Sequence, residues 1–322
     1  MRALPTSRSS ADRLSRSSRR GDWRVGEAYD ASNVTFRVLR AYGWGPLLNL
    51  GWFGFRHPLT LLNVIGTPLA FSPRQRLPAA QLALVHRALR LLEPAPGQAV
   101  LDVACGRGAS SFVLANEHPE IEVTGIDVLT SSVDVASVLY GNAPNLEYRV
   151  GDAQQLDLPD ASFDRVFCLE AAFQFPDRRR FLTEARRVVH PGGRVVIMDF
   201  MADDVVEPTW WDTDAARFVR QTWQFERFDT MAEYRANAVA AGFDVIEMRN
   251  WSAHVTDPLQ SIFNLVAWLG RRRWGRRLLV VHNSMLRSLT ADDWAEFDRS
   301  ARAHRAVRQR SRYVALVLSP TP

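Results

Sequence analysis

A short apolar run that ends in a glycine turn limits the fold of this chain more than any other feature. Residues Val100–Gly108 read VLDVACGRG, and a helix is predicted to begin at about Ala109. Glycine lets the backbone turn sharply and approach a ligand closely, because it has no Cβ atom to clash. A strand, a tight turn and a helix in this order predict the first βα unit of a sheet that binds a cofactor.

Further apolar runs follow this unit, with helical stretches between most of them. Strands alternating with helices predict right-handed βαβ units and a parallel sheet that is covered on both faces. Seven strands are predicted, at residues 99–104, 121–128, 146–150, 164–169, 194–200, 243–249 and 313–318. A helix is predicted at Phe228–Ala241, with Gly242 at its carboxyl end.

Changes in composition along the chain predict its domain organisation. The predicted segments are a disordered Arg/Ser tail (1–20), an N-terminal helical lid (21–96), a cofactor-binding core (97–200), a cap segment (201–227), a core helix and strand (228–252), a helical cap insertion (253–310) and the final core strand (311–322). The arginine-rich run 271–277 in the cap insertion is interpreted mainly as a solvated face.

Composition narrows the class of protein. The chain has 322 residues, 47% of them hydrophobic, and its net charge of +5 is carried by arginine without any lysine. These values predict a globular protein without a membrane span, and the charge alone does not indicate nucleic-acid binding. Cys105 and Cys168 both fall in predicted core segments, which argues against a disulfide framework and favours a reducing cytoplasm. Composition is also compatible with a homo-oligomer.

Carboxylates follow the first three predicted strands at the edge where a ligand would bind. Asp102 lies within the first turn, where it would repel a phosphate and attract an ammonium group. Asp127 ends the second strand, a position from which an acid can bind ribose hydroxyls. Asp152 follows the third strand and could accept from an adenine amino group. The pattern favours an amino-acid-bearing nucleoside over a dinucleotide.

Residues Gln98–Phe200 as a set resemble the class I S-adenosylmethionine methyltransferases. The resemblance rests on VLDVACGRG, VTGIDV, GDAQQLDLPDASFD and HPGGRVVIMD. It implies an α/β fold with a Rossmann-like seven-stranded sheet, helical lid and cap insertions, and S-adenosyl-L-methionine as the cofactor. "AYD" at Ala28–Asp30 is similar to the lid of natural-product methyltransferases, which adds Tyr29. The cofactor-binding residues so implied are Tyr29, Asp102, Ala104, Gly106, Gly108, Asp127, Val128, Asp152, Ala153 and Cys168.

The segment after the fourth strand usually faces the transferable methyl group, and here it reads CLEAAFQFPD. Related sugar O-methyltransferases carry a histidine base in this segment, whereas this chain has Phe173 and Gln174. Glu170 is the ionisable group that remains. A carboxylate among aromatic rings suits an alkene acceptor, whose methylation leaves a carbocation for the carboxylate to deprotonate. Candidate rings are Phe173, Phe175, Trp210, Trp211, Phe218 and Trp223, with Trp210 preferred.

Glu170 and its aromatic surroundings also resemble isoprenoid C-methyltransferases, in particular those of the benzastatin type that act at carbon 6 of geranyl diphosphate. This resemblance implies a small hydrophobic substrate and a diphosphate that needs cationic or Mg²⁺ contacts. Arg56, His57, His282 and Arg287 are the candidates for those contacts. Two alternatives stay open: O-methylation of a macrolide, sugar or polyketide hydroxyl, and a domain that binds the cofactor without turnover.

Overall fold

The computed structural model describes residues 33–45, 47–54 and 73–322. Their strands are β1 (Ala99–Val103), β2 (Glu122–Asp127), β3 (Leu146–Val150), β4 (Phe163–Leu169), β5 (Val189–Ala202), β6 (Phe243–Asn250) and β7 (Ser311–Pro320). Their α-helices are α1 (Val34–Ala41), α2 (Pro73–Leu92), α3 (Ala109–Glu117), α4 (Thr130–Tyr140), α5 (Arg178–Val188), α6 (Asp214–Trp223), α7 (Met231–Ala240), α8 (Thr256–Gly270), α9 (Arg273–His282) and α10 (Ala291–Arg308).

All seven strands of this described part form one sheet in the order β3-β2-β1-β4-β5-β7-β6. The predicted α/β fold class is therefore confirmed. Strands β1 to β5 pair in parallel, and the order in which successive strands are added to the sheet reverses between β1 and β4. Ligands of open α/β sheets bind outside the carboxyl ends of the strands at such a reversal. The segments that follow β1 and β4 are therefore the place to look for a site.

The prediction of a wholly parallel sheet is wrong for β7, which pairs antiparallel with both β5 and β6. The reason lies in the connection. The chain leaves β6 at its carboxyl end, passes through α8, α9 and α10, and begins β7 opposite Ala202 at the carboxyl end of β5. Because the cap starts and finishes at the same edge of the sheet, β7 must run back through it in the opposite direction.

Helices cover both faces of the sheet, and their apolar stripes make the core. One face buries Leu101 and Val166 against α5 and α7. The other buries Val100 and Phe167 against α2 and α3. A third cluster joins α1 to α8, α9 and α10 above the carboxyl edge, which brings lid and cap into contact. Within the described ranges, no helix is both long and apolar enough to cross a bilayer.

Candidate active site

The loop between β1 and α3 is held in a backbone conformation that needs glycine. Gly106 and Gly108 have φ values of 57° and 81°. A Cβ atom on Gly108 would lie 2.6 Å from both the Ala136 Cβ and the Tyr148 hydroxyl oxygen, closer than packed atoms approach. The Tyr148 hydroxyl donates to the Gly108 carbonyl at 2.6 Å, so the ring fills the space left by the missing side chain. The packing of Tyr148 against Gly108 thus holds the loop in this conformation.

Asp102 supports this loop from inside. The residue is 1% exposed, and its Oδ2 accepts hydrogen bonds from the Ser110 and Ser111 hydroxyls at 2.8 and 2.6 Å. Burial raises the pKa of the carboxyl to about 6, against the lowering effect of the two hydroxyl donors. The side chain therefore fixes the first turn of α3. Its predicted contact with a ligand ammonium group stays a prediction.

Asp127 connects the end of β2 to the glycine loop. Its Oδ2 accepts from the Gly106 amide and its Oδ1 from the Leu129 amide, each at 2.9 Å. Burial raises the pKa of this carboxyl, and the two amide donors oppose that shift. Each carboxylate oxygen has a second lone pair, so a ribose hydroxyl could still donate to it.

The strand ends β1, β2 and β3 together fit an adenosine-bearing ligand. Val128 is 49% exposed beside Asp127 and offers an apolar surface to a flat ring, and Ala153 is buried nearby after β3. Asp152 turns its Oδ1 to the Gln154 amide at 2.8 Å. A Cβ atom on Gly106 would meet the Leu48 Cδ1 of the lid at 3.4 Å. The carboxylates and the apolar surface at these strand ends suit S-adenosylmethionine.

The Cys168 side chain does not face these strand ends. Its side chain is completely buried in the core beside the sheet, and burial raises the pKa of the thiol well above its ordinary value. The prediction that Cys168 binds the cofactor is corrected for the side chain, because the pleat of β4 directs it into the core on one face of the sheet. Tyr29 lies outside the described residues.

Glu170 occupies the first position after β4, across the sheet reversal from the glycine loop. It adopts a left-handed conformation with φ 53°, and its amide donates to the Met198 carbonyl at 2.8 Å. Its carboxylate accepts from the Leu50 amide at 3.0 Å and from the Tyr313 hydroxyl at 2.8 Å. Burial raises the pKa of Glu170 to about 8, although both hydrogen bonds act to lower it.

A cavity opens next to Glu170, with about 830 Å³ of space that no atom fills, part of it open to solvent. Six Phe and Trp rings from four different segments line it. Thr256, Gln260, Arg308 and Ser311 add a few polar groups. The full lining is Leu39, Leu48, Leu50, Glu170, Phe173, Phe200, Val219, Trp223, Phe225, Phe228, Thr256, Leu259, Gln260, Phe263, His304, Val307, Arg308 and Ser311. This size and character suit a mostly apolar small molecule.

The structure brings three of the predicted acceptor-site residues to this cavity: Glu170, Phe173 and Trp223. Phe175 instead packs on Phe181 in the core, with ring centroids 5.0 Å apart. Trp210, Trp211 and Phe218 form a second layer behind the wall: Trp210 contacts Trp211, whose ring contacts Phe225 and Phe228. Their assignment to the wall itself is therefore corrected, because the loop 224–228 lies between them and the cavity.

The predicted cationic contacts are not brought together with Glu170. His282 ends α9, and Arg287 is exposed in the short helical turn Ser284–Ser288. Neither lines the cavity, because α9 lies on the outer side of the cap, so their assignment to the substrate is corrected. Arg56 and His57 lie outside the described residues. Among the residues that are described, no group of three or more His, Cys, Asp or Glu could hold a metal ion.

Sequence reasoning missed several residues of the site. Phe225 and Phe228 follow Trp223 closely, and that aromatic cluster was a usable signal. Asp199 is fully buried and accepts from the Phe173 amide at 3.2 Å, so it positions that ring. No local signal indicated Tyr313, which lies 143 residues from the carboxylate it contacts.

His304 also lines the cavity, but it is not available as a base. Its Nδ1 donates to the Ser300 carbonyl at 2.8 Å, and its Nε2 accepts from the Trp223 indole nitrogen at 2.7 Å. Burial lowers the pKa of His304 to about 4. The imidazole is thus neutral with both nitrogens engaged, which leaves Glu170 as the ionisable group that faces the cavity beside the cofactor loop.

Comparisons with known proteins show which family the chain belongs to. Residues 101–197 match the family model described as a methyltransferase domain. The 2-methyl-6-phytyl-1,4-hydroquinone methyltransferase of Synechocystis is 35% identical over 250 residues, which are 76% of this chain and 71% of that protein. The 27-O-demethylrifamycin SV methyltransferase of Amycolatopsis mediterranei is 31% identical over 223 residues, or 68% of this chain and 73% of that protein.

Solved structures show the same fold. The geranyl diphosphate C-methyltransferase from Streptomyces coelicolor, in complex with Mg²⁺, geranyl diphosphate and S-adenosyl-L-homocysteine, superposes with a TM-score of 0.61. It is 14% identical, and the match covers 90% of this chain and 99% of that one. The Rossmann-like sheet, the glycine loop and these relatives together define the class: the chain belongs to the class I S-adenosylmethionine-dependent methyltransferases. It is accordingly an enzyme that transfers a methyl group.

Proposed function

We propose that the enzyme methylates an alkene carbon of an isoprenoid, with geranyl diphosphate as the first acceptor to test. The observation that carries the proposal is the place of Glu170, which lines the aromatic cavity directly after β4, the strand that pairs with β1. The segment that would hold a histidine base in sugar O-methyltransferases has Phe173 and Gln174 instead. Gln174 donates to the Trp223 carbonyl at 2.7 Å and so contributes to the wall rather than to proton transfer.

The chemistry that this arrangement suits needs one base and a cation-stabilising wall. S-adenosylmethionine supplies a methyl group on a positively charged sulfur. As the alkene π electrons form the new C–C bond, the C–S bond breaks and the adjacent carbon becomes a cation. Rings such as Phe173 and Phe228 would stabilise that cation by about 0.5–2 kcal/mol each. Glu170 then removes a proton from a neighbouring carbon, and the electrons of that C–H bond form the new double bond.

The pKa of Glu170 suits this role in a specific way. With its pKa raised to about 8 by burial, the carboxyl is mostly protonated at neutral pH. A positive charge brought within a few ångströms favours the ionised form and lowers the pKa. A base formed only when a cation is adjacent is well matched to an acceptor that itself becomes cationic.

The polar part of the cavity bears on the acceptor's head group. Arg308 is the one guanidinium on the wall among the described residues, and its Nε already donates to Asp257 at 2.7 Å. A diphosphate therefore needs further cationic contacts. Arg56 and His57 remain candidates for those contacts, and the described residues offer no ready-made magnesium site.

O-methylation of a macrolide, sugar or polyketide hydroxyl is the second candidate. One observation favours it: the rifamycin relative, whose name specifies methyl transfer to oxygen, is 31% identical over most of the chain. Glu170 could accept a hydroxyl proton as readily as a carbon-bound one. In that reaction no cation forms on the acceptor, so the aromatic wall would serve binding alone.

The experiment combines purified protein, S-adenosylmethionine, Mg²⁺ and geranyl diphosphate, and follows the acceptor by mass spectrometry and NMR. A gain of one CH₂ with a new methyl group on carbon supports the proposal. Glu170→Gln should bind the cofactor as wild type does, by calorimetry, yet lose turnover about 10²–10⁴-fold. Absence of product while the cofactor binds, together with methylation of a hydroxyl in a parallel panel, would transfer the assignment to the second candidate.

A further inference from the structure

Helix α9 presents a row of apolar side chains to solvent. Trp274, Leu278 and Val281 recur at helical spacing and are all exposed, with Val281 86% and Trp274 54% accessible. Met285 continues the row in the following turn, and Trp268 of α8 meets Trp274 edge to face at 5.7 Å. Scattered apolar residues are normal on a surface, whereas a continuous row that includes two tryptophans marks an interaction site.

This row is not an unfinished part of the core, because the inner face of α9 is already packed. Gly275 and Leu279 are buried against the cap. A Cβ atom on Gly275 would lie 2.2 Å from the Leu269 carbonyl oxygen, so the two helices are in the closest contact that glycine permits. The helix cannot rotate its outer residues inward without losing this contact.

Arginine surrounds the row. Residues 258–291 contain no Asp or Glu but six arginines, at positions 271, 272, 273, 276, 277 and 287. In the described part of the chain one arginine of this group has an acidic partner, since Arg271 Nε lies 3.7 Å from Asp298 Oδ1 of α10. Arg273, Arg277 and Arg287 are exposed, and the Arg272 guanidinium lies 4.1 Å from the centre of the Trp268 ring. A helix with Trp and Leu on one face and arginine beside it has the composition of helices that lie in a lipid interface.

We propose that α9 and the turn after it dock on the surface of a membrane that contains anionic lipids. The arginines meet lipid phosphates, while Leu278, Val281 and Met285 enter the region between head groups and acyl chains. A second copy of this chain is a poor occupant, because a two-fold contact would bring the same arginines face to face. Nucleic acid would satisfy the arginines but leave the apolar row against water.

The position of α8 gives this surface a consequence for the enzyme. Leu259 and Phe263 of α8 line the cavity, while Trp268 at its other end joins the exposed row. One helix thus connects the proposed lipid-facing surface with the acceptor cavity. An apolar acceptor dissolved in a bilayer would meet the enzyme at this helix. Docking itself rests on the surface and does not depend on which acceptor is used.

The test is co-sedimentation of the full chain with vesicles of phosphatidylcholine, with and without about one third phosphatidylglycerol. We expect binding to the anionic vesicles that weakens with salt. Arg273→Gln combined with Arg277→Gln should reduce it about 30-fold, since each arginine near a membrane surface contributes about fivefold. Leu278→Ser combined with Val281→Ser should reduce it at least about tenfold.

The matched control is Val138→Ser combined with Val205→Ser, which removes two equally exposed valines (81% and 87%) elsewhere on the surface. Methyl transfer to a water-soluble acceptor should be unchanged in all three double variants, which shows that they fold. Equal binding to neutral and anionic vesicles would overturn the proposal. An equal loss of vesicle binding in the control variant would also overturn it. The same holds if the exposed row of α9 proves to mediate self-association or nucleic-acid binding instead.

Discussion

Replacing Glu170 by glutamine should change how the stability of the protein depends on pH. In the unfolded chain a glutamate titrates near its ordinary pKa of 4.5, whereas burial in the folded protein raises the pKa of Glu170 to about 8. Between these two values the folded state holds a proton that the unfolded state has released. Stability that depends on this proton is complete below pH 4.5 and is lost as the pH rises towards 8.

The size of the effect follows from that difference. From pH 6 to pH 8 a single group with a folded pKa of about 8 removes roughly 2 kcal/mol from the free energy of unfolding. Glutamine has the same shape, can still accept from the Tyr313 hydroxyl and does not titrate. The variant should therefore lose about 2 kcal/mol less than wild type over this interval, which makes it relatively more stable at alkaline pH.

Equilibrium urea unfolding of both proteins at pH 6 and pH 8 measures this double difference. Asp102 and Asp199 also have raised pKa values, of about 6 and about 7, and both are present in both proteins. Asp102 therefore cancels, and for Asp199 only its interaction with Glu170 enters the difference. Stability curves that run parallel in wild type and variant would refute the reasoning. Glu170 would then be ionised in the folded protein, and its proposed activation by a neighbouring cation would have no basis.

Three further predictions test the surroundings of this carboxyl. Tyr313→Phe removes a donor to its ionised form, so the rise of kcat/KM with pH should move to higher pH. Tyr140→Phe, at the end of α4, where the ring stacks on Phe112, should leave the profile in place. Gly108→Ala should destabilise the protein by at least about 2 kcal/mol more than Gly97→Ala, as judged by urea unfolding. Both sites have positive φ, but only at Gly108 does a Cβ atom meet other atoms. Trp210→Ala should let Trp211, and with it the loop 224–228 that carries part of the cavity wall, move outward. Competition assays should then show a relative gain for a longer prenyl chain. An unchanged preference would show that this second layer does not limit the cavity.

The sheet could be predicted because each strand has a local signal. All seven predicted strands overlap the observed ones, and β3 agrees at both ends. The direction of β7 could not be read in the same way. An apolar run in a final strand looks alike whether it pairs in parallel or antiparallel, and only the return of the chain from the cap decides between them.

The cofactor side of the site was accessible to sequence reasoning for a related reason. Asp127 ends β2 and Gly108 ends the short loop that follows β1, so chain order alone fixes their position at the edge. The acceptor cavity is assembled from α1, the lid segment, α6, α8, α10 and the ends of β4, β5 and β7. Tyr313 and His304 acquire their roles only through contacts across more than 80 residues of chain. A single sequence contains no local pattern for such pairs.

The hydrogen bonds of Glu170 connect three parts of the molecule that the chain supplies separately. The Leu50 amide belongs to the lid, the Tyr313 hydroxyl to the last strand and Glu170 to the end of β4. Because the lid amide donates to the carboxylate, opening the lid would remove one of the two donors that hold down the pKa of Glu170. Burial by the same surroundings is the larger influence and raises the pKa, so the lid acts on this carboxyl in both directions. An active site that makes a reactive cation benefits from such a lid, since the segment that positions the carboxylate also shields the cation from water.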